Sequence, residues 1–299
     1  MRRRIGWVAF IAVLCLGWHP SAQAQETEDL MALLDETAPP ETPPAVGAAF
    51  MGTRLVQQPS PRLLPPHHLH FVVSHRFGAL ADGTRTFFGL DNASTRIAFE
   101  YGLNRRVNIG VGRTTFEKTF DGFVKVGLLR QGRSPVTLTY LSEVTAVGLP
   151  WPDDGFAYRF TDRLHYVQML LVGRKFSSRL SLALMPVYVH RNLAPAGASN
   201  DVAFVGVGGR FKLNDDLALA FEYSPRVWGR LPDGTAPFGM ALNIRTGGHV
   251  FQLLLSNGRG LTQKHVFLNT HDALATGRLH FGFNLYRVFS PGMHHKTAG

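Results

Sequence analysis

From residue 68 onward, apolar and polar side chains alternate along the chain with a period of two. Thr95, Ile97, Phe99 and Tyr101 alternate with Ser94, Arg96, Ala98 and Glu100, and Leu217, Leu219, Phe221 and Tyr223 alternate with Ala218, Ala220, Glu222 and Ser224. The runs around Val107, Val205 and Phe238 follow the same rule. Such a pattern predicts strands with one apolar face and one face of small, polar or charged residues. About twelve runs can be marked off, near 68–77, 92–102, 106–116, 120–130, 135–147, 163–175, 180–190, 201–213, 216–226, 236–245, 249–257 and 278–289. Most have the roughly 9–11 residues that a tilted strand needs to cross a bilayer, whereas soluble strands average about five or six.

The connections carry a second pattern. Short turns fall at 103–105, 131–134, 177–178, 214–215 and 246–248, and longer loops at 78–91, 148–162, 191–200, 227–235 and 258–277. Only the connection near Thr119 is short where a long one is expected. Short turns at one end and long loops at the other describe a transmembrane barrel of the outer-membrane type. A soluble sandwich would turn its apolar faces inward and show no such alternation of loop length. The expected fold is therefore all-β, an antiparallel transmembrane β-barrel of about twelve strands. In it Ile97, Phe99, Val107, Ile109, Val205, Val207, Leu219, Phe221, Leu242 and Phe283 face lipid, and Arg96, Glu100, Arg210, Glu222, Asn243 and Asn284 face the lumen.

The residues before the first strand read differently. Arg2, Arg3 and Arg4 precede an apolar stretch over 5–18 and an Ala22-Gln23-Ala24 cleavage pattern, so 1–24 is expected to be a signal peptide of an exported protein. An acidic helix is expected over 26–36, with Leu30, Leu33 and Leu34 on one face, which either docks on the rest of the protein or binds a periplasmic protein partner. Pro39, Pro40, Pro43 and Pro44 then begin a stiff linker, the whole leader spanning 25–66. The barrel spans 67–289, and 290–299 forms a C-terminal tail.

Composition narrows the picture further. Charged residues make up 17% of the chain, against roughly 25% in soluble domains, while there are 31 Gly and 22 Phe. The one cysteine, Cys15, excludes a disulfide scaffold or a cysteine metal site. Loss of 1–24 lowers the formal net charge from +10 to +7, and the Lys and Arg residues form no stripe, so nucleic acid is not an expected partner.

The stretches His75-Arg76-Phe77-Gly78, Gly89-Leu90-Asp91-Asn92-Ala93-Ser94, Phe116-Glu117-Lys118-Thr119-Phe120-Asp121-Gly122-Phe123, His190-Arg191-Asn192-Leu193, Thr246-Gly247-Gly248-His249-Val250-Phe251-Gln252 and His280-Phe281-Gly282-Phe283-Asn284 stand out along the chain. Together they resemble a membrane-bound β-barrel family of unknown function found in Gram-negative bacteria. The resemblance covers nearly the whole mature chain and implies an outer-membrane barrel. It implies no activity and no site residues.

Candidate chemistry is sparse. Arg96, Glu100, Arg113, Glu117, Asp121, Lys125, Arg210, Glu222 and Arg245 form the candidate charge network of the lumen, a selectivity ring or a set of pairs that fills the interior. The thirteen histidines lack metal-ligand spacing, so neither a metal nor another cofactor is expected. Ser256-Asn257-Gly258-Arg259 looks like a stretch of outer-membrane phospholipase A, but Leu254 stands where that family places its catalytic histidine. The expected role is non-enzymatic: a pore, small-solute channel or structural barrel in the outer membrane. The alternatives are an outer-membrane lipid-modifying hydrolase and a barrel that docks a periplasmic partner.

Overall fold

The computed structural model describes residues 49–246 and 249–290. The expected signal peptide, the expected helix with Leu30, Leu33 and Leu34, and the tail after Ser290 lie outside the described residues. The alternating runs form β1 (Leu69–Ala79), β2 (Ser94–Gly102), β3 (Val107–Thr114), β4 (Phe120–Leu129), β5 (Thr137–Ala146), β6 (Leu164–Lys175) and β7 (Leu180–Arg191). They continue as β8 (Asp201–Lys212), β9 (Leu217–Tyr223), β10 (Arg226–Trp228), β11 (Phe238–Thr246), β12 (His249–Ser256) and β13 (His280–Phe289).

Each strand pairs antiparallel with its neighbours, and β13 pairs back onto β1 from Leu69 opposite Phe289, so the sheet closes. β9 and β10 both pair with β8, at successive stretches of it, and act as one strand broken at Pro225. Proline has no N–H for the ladder, yet its carbonyl accepts from Val205 N at 3.1 Å and keeps the register. The closed barrel therefore has twelve strands. The short turns share one end with the start of β1, and the long loops share the other; we call these ends the turn side and the loop side.

Side-chain direction follows the alternation. Ile97 is 49% exposed on the outer face, while Arg96 beside it is 1% exposed and points inward. Phe99, Ile109, Val207, Leu219 and Phe221 share the outer face, and Glu100, Arg210, Glu222, Asn243 and Asn284 are buried inside. Both faces of β6 and β7 are apolar, so the interior is not polar all round: Val167, Met169, Leu171, Met185, Val187 and Val189 are buried in the lumen.

Two inserts fill that interior. Residues 49–66, expected to be linker, enter from the turn side, and the loop between β12 and β13 folds in from the loop side, carrying the short helix α1 (Gln263–Leu268). A free chain would leave its backbone polar groups unmade inside a barrel, so each insert bonds to the wall. The next section follows those bonds.

Candidate functional site: the plugged lumen

The leading insert is a hairpin. Arg54 bridges antiparallel to Pro59, Leu55 N donates to Gln58 O at 2.8 Å, and Ser60 N donates to Thr53 O at 2.9 Å. The reversal leaves the N–H groups of Val56, Gln57 and Gln58 pointing the same way, and all three donate to the Glu222 carboxylate at 3.1, 2.9 and 3.2 Å. A concave row of backbone N–H groups is a natural cradle for an anion. The tip is steadied further where Gln252 Nε2 donates to Leu55 O at 2.7 Å and Gln58 Nε2 donates to Ser224 Oγ at 2.9 Å.

Glycines in the wall make room for it. At Gly208 an added Cβ would lie 2.3 Å from Leu55 Cδ2 and 2.8 Å from Phe221 O. At Gly102 it would lie 2.2 Å from Pro65 O, where the hairpin passes into β1. No side chain larger than hydrogen fits at either position.

At the hairpin's base, on the turn side, cations hold carbonyls. Arg210 Nη1 donates to Ala49 O at 3.0 Å, and Arg62 Nη1 donates to Phe50 O at 3.0 Å and to Met51 O at 2.5 Å. Lys125 Nζ, on β4, donates to Thr53 O at 3.1 Å and Arg62 O at 2.9 Å. Lumen charges that alternation alone would leave to cross-strand pairing are spent on the hairpin's backbone.

The second insert is held by Glu117. Thr262 caps α1, and Gln263 N donates to Glu143 Oε1 at 2.8 Å. Glu117, on the turn between β3 and β4, takes Lys264 as an ion pair and lies 3.2 Å from His265 Nε2, while Asn269 Nδ2 donates to it at 3.2 Å. Burial alone would raise the Glu117 carboxyl, but the His265 hydrogen bond and the Lys264 charge outweigh it and hold it at about 2. Burial pushes His265 down to about 4 despite the Glu117 bond. Phe267 packs on Phe204 of β8 with ring centroids 4.9 Å apart, which explains the apolar interior on that side. Gln263 Nε2 donates to Gln57 O at 3.2 Å, so the two inserts meet in the lumen.

The candidate charges thus separate. Arg96 pairs with Asp121 through two hydrogen bonds, one of them Nε to Oδ1 at 2.9 Å. Glu100 accepts from Asn108 Nδ2 at 2.9 Å and faces His70 at 3.6 Å. Arg210 and Glu222 do not pair with each other; both bind the hairpin. Arg245 shares the inward parity of Gly239, Ala241 and Asn243 but sits exposed at the turn-side mouth. Arg113 is a correction: it lies on the outer face of β3, out of phase with the buried Asn108 and Thr114, with its guanidinium 5.3 Å from the Phe120 ring. Counting it among the lumen charges grouped residues by nearness in sequence, whereas strand parity puts odd positions of β3 outside.

Ser256 lies opposite His280 across the ladder. Its hydroxyl donates to Gly258 O at 2.7 Å, while His280 Nδ1 lies 3.1 Å from Phe77 O and Nε2 2.9 Å from Asp272 Oδ2. Ser256 is fully buried, and both ring nitrogens of His280 are engaged elsewhere. No group of three or more His, Cys, Asp or Glu residues with metal-holding geometry occurs among the described residues. Sequence reasoning missed the hairpin and Glu143. The available signal was Phe50, Met51, Leu55 and Val56, apolar residues that an exposed linker does not need.

Residues 50–289 match the profile of a family described as membrane bound beta barrel domain, DUF5777. No curated protein matches the chain. Among solved structures the chain is similar to the KdgM porin, with a TM-score of 0.46 and 8% identity, over 75% of this chain and 99% of that one. It is similar to the NanC porin with a TM-score of 0.47 and 10% identity, over 74% of this chain and 98% of that one. An outer membrane channel from Pseudomonas putida F1 is similar with a TM-score of 0.47 and 13% identity, over 76% of this chain and 97% of that one.

Proposed function

The chain belongs to the membrane bound beta barrel domain family and is an outer-membrane barrel, and from that premise we propose that it is a small-solute channel held shut by its own hairpin. The observation that carries this reading is the fit of hairpin to wall. Where the hairpin lies, the wall is cut back to glycine, as at Gly102 and Gly208, instead of being filled by wall side chains. A barrel of about eight strands can fill its interior with side chains from its own strands, whereas a wider one needs an inserted segment to close it. Here the turn-side closure is a separate segment, seated by hydrogen bonds that water can replace, and its withdrawal would clear the lumen as far as the α1 insert.

Both ends of the hairpin lie on the turn side, Ala49 against Arg210 and Pro65 against Gly102. Short turns face the periplasm in outer-membrane barrels, so the closure is operated from within the cell envelope. The supporting experiment is planar-bilayer recording of the full chain beside Glu222→Gln. The substitution removes the charge that three tip N–H groups share, so openings become more frequent. Equal and negligible conductance for both proteins would count against a channel.

A further inference from the structure

Arg62, Arg210 and Arg245 gather at the turn-side mouth of the lumen. Their positions follow from separate elements: Arg62 from the returning arm of the hairpin, Arg210 from the inward face of β8, Arg245 from the inward parity of β11. Arg62 and Arg210 grip consecutive carbonyls, Phe50 and Ala49, which brings both guanidinium groups to the entering arm of the hairpin. Only β9 separates β8 from β11, so Arg210 and Arg245 reach the same turn-side end from neighbouring parts of the wall.

Three cations in one place repel each other unless an anion sits among them. Among the described residues none of the three has a carboxylate within salt-bridge distance; nearby Asp215 is taken by Lys212. Arg210 is 8% exposed, and its Nε has no hydrogen-bond partner among the described residues. A buried guanidinium N–H left unmade is costly, and native structures satisfy such groups with a partner, a water or a ligand. The guanidinium fork matches the paired oxygens of carboxylates and phosphates in particular.

We infer that the turn-side mouth is a binding site for a small soluble oxyanion, a carboxylate or phosphate, held by Arg62, Arg210 and Arg245. The inward parity of Arg210 and Arg245 turns both away from the lipid-facing outer face, which favours a soluble occupant over a bilayer headgroup. Binding requires no opening of the barrel. That the bound anion belongs to the class of solute carried rests on the channel reading above.

Calorimetric titration of the full-length, detergent-refolded protein with inorganic phosphate and with succinate tests the site, at constant chloride to hold general screening fixed. Saturable binding of at least one of the two is expected, weakened about tenfold by Arg210→Gln and by Arg245→Gln, the loss of one charge-assisted contact each. Arg113→Gln, on the outer face, leaves it unchanged. Arg210 also holds Ala49, so Arg245→Gln is the cleaner variant, because the Arg245 side chain makes no hydrogen bond among the described residues and its backbone bond to Asp216 O survives the substitution. No saturable binding, or equal affinity in wild type and Arg245→Gln, overturns the site. Either result would leave the conductance test of the channel untouched, and silent recordings would leave the titration equally meaningful.

Discussion

Glu222 has its direction set by strand alternation and its partners set by a segment more than a hundred and sixty residues away. The first was legible in the sequence: the polar face of Leu217–Tyr223 shows which way the carboxylate points. The second was not, because period-two patterning describes a strand against its faces and carries no information on what fills the interior. The same limit separates Arg96, whose Asp121 partner also lies on the inward face of a strand, from Arg210, whose partner is a carbonyl of the hairpin. Replacing Glu222 by Gln should weaken seating of the tip by about 2 kcal/mol, the scale of hydrogen bonds to a charged group. A cysteine at Val56, which is fully buried, reports this directly. Maleimide labelling of Val56→Cys should be slow in the otherwise native barrel and clearly faster with Glu222→Gln. Equal labelling rates would show that the carboxylate does not hold the tip.

Among the elements, the strands were the most legible. The expected run at 120–130 is β4 at Phe120–Leu129, and the short connection near Thr119 is real. The run expected at 216–226 is interrupted because Pro225 cannot donate to the ladder. α1 was not legible, since six residues are too few for a helical period and its seat is made by Glu117 and Glu143 from distant turns and strands. Those partners make α1 sensitive to acid. His265 titrates near 4 in the folded protein against about 6.5 when unfolded, so the unfolded state binds more protons and stability falls as pH drops from about 6.5 toward 4. Glu117, held near 2, contributes stability above about 4.5 that is lost as pH falls toward 2. Amide exchange over 263–268, corrected for its intrinsic pH dependence, should therefore rise between pH 7 and pH 4. Unchanged protection across that interval would mean that α1 is not seated through these groups.

At the scale of the whole molecule, an apolar outer face and a filled interior make different demands on the same strands. The outer face is a solvent match to lipid. Val207→Arg, at a position 44% exposed near the middle of β8, should cost about 2–4 kcal/mol in lipid-vesicle unfolding if it lies near the bilayer midplane. Lys212→Ala, at the turn-side end of the same strand, should cost far less. On the channel reading proposed above, the interior demand is closure by a removable part, and a reversible lock tests it most directly. A Cβ at Gly239 would lie 3.0 Å from Val56 Cγ1, so Val56→Cys with Gly239→Cys can tether the hairpin tip to β11. The only native cysteine, Cys15, lies in the expected signal peptide. In a Glu222→Gln background, single-channel recording should show a silent barrel when the tether is oxidised and openings when it is reduced. Comparable conductance in both states, with the disulfide confirmed, would contradict a channel closed by its own hairpin.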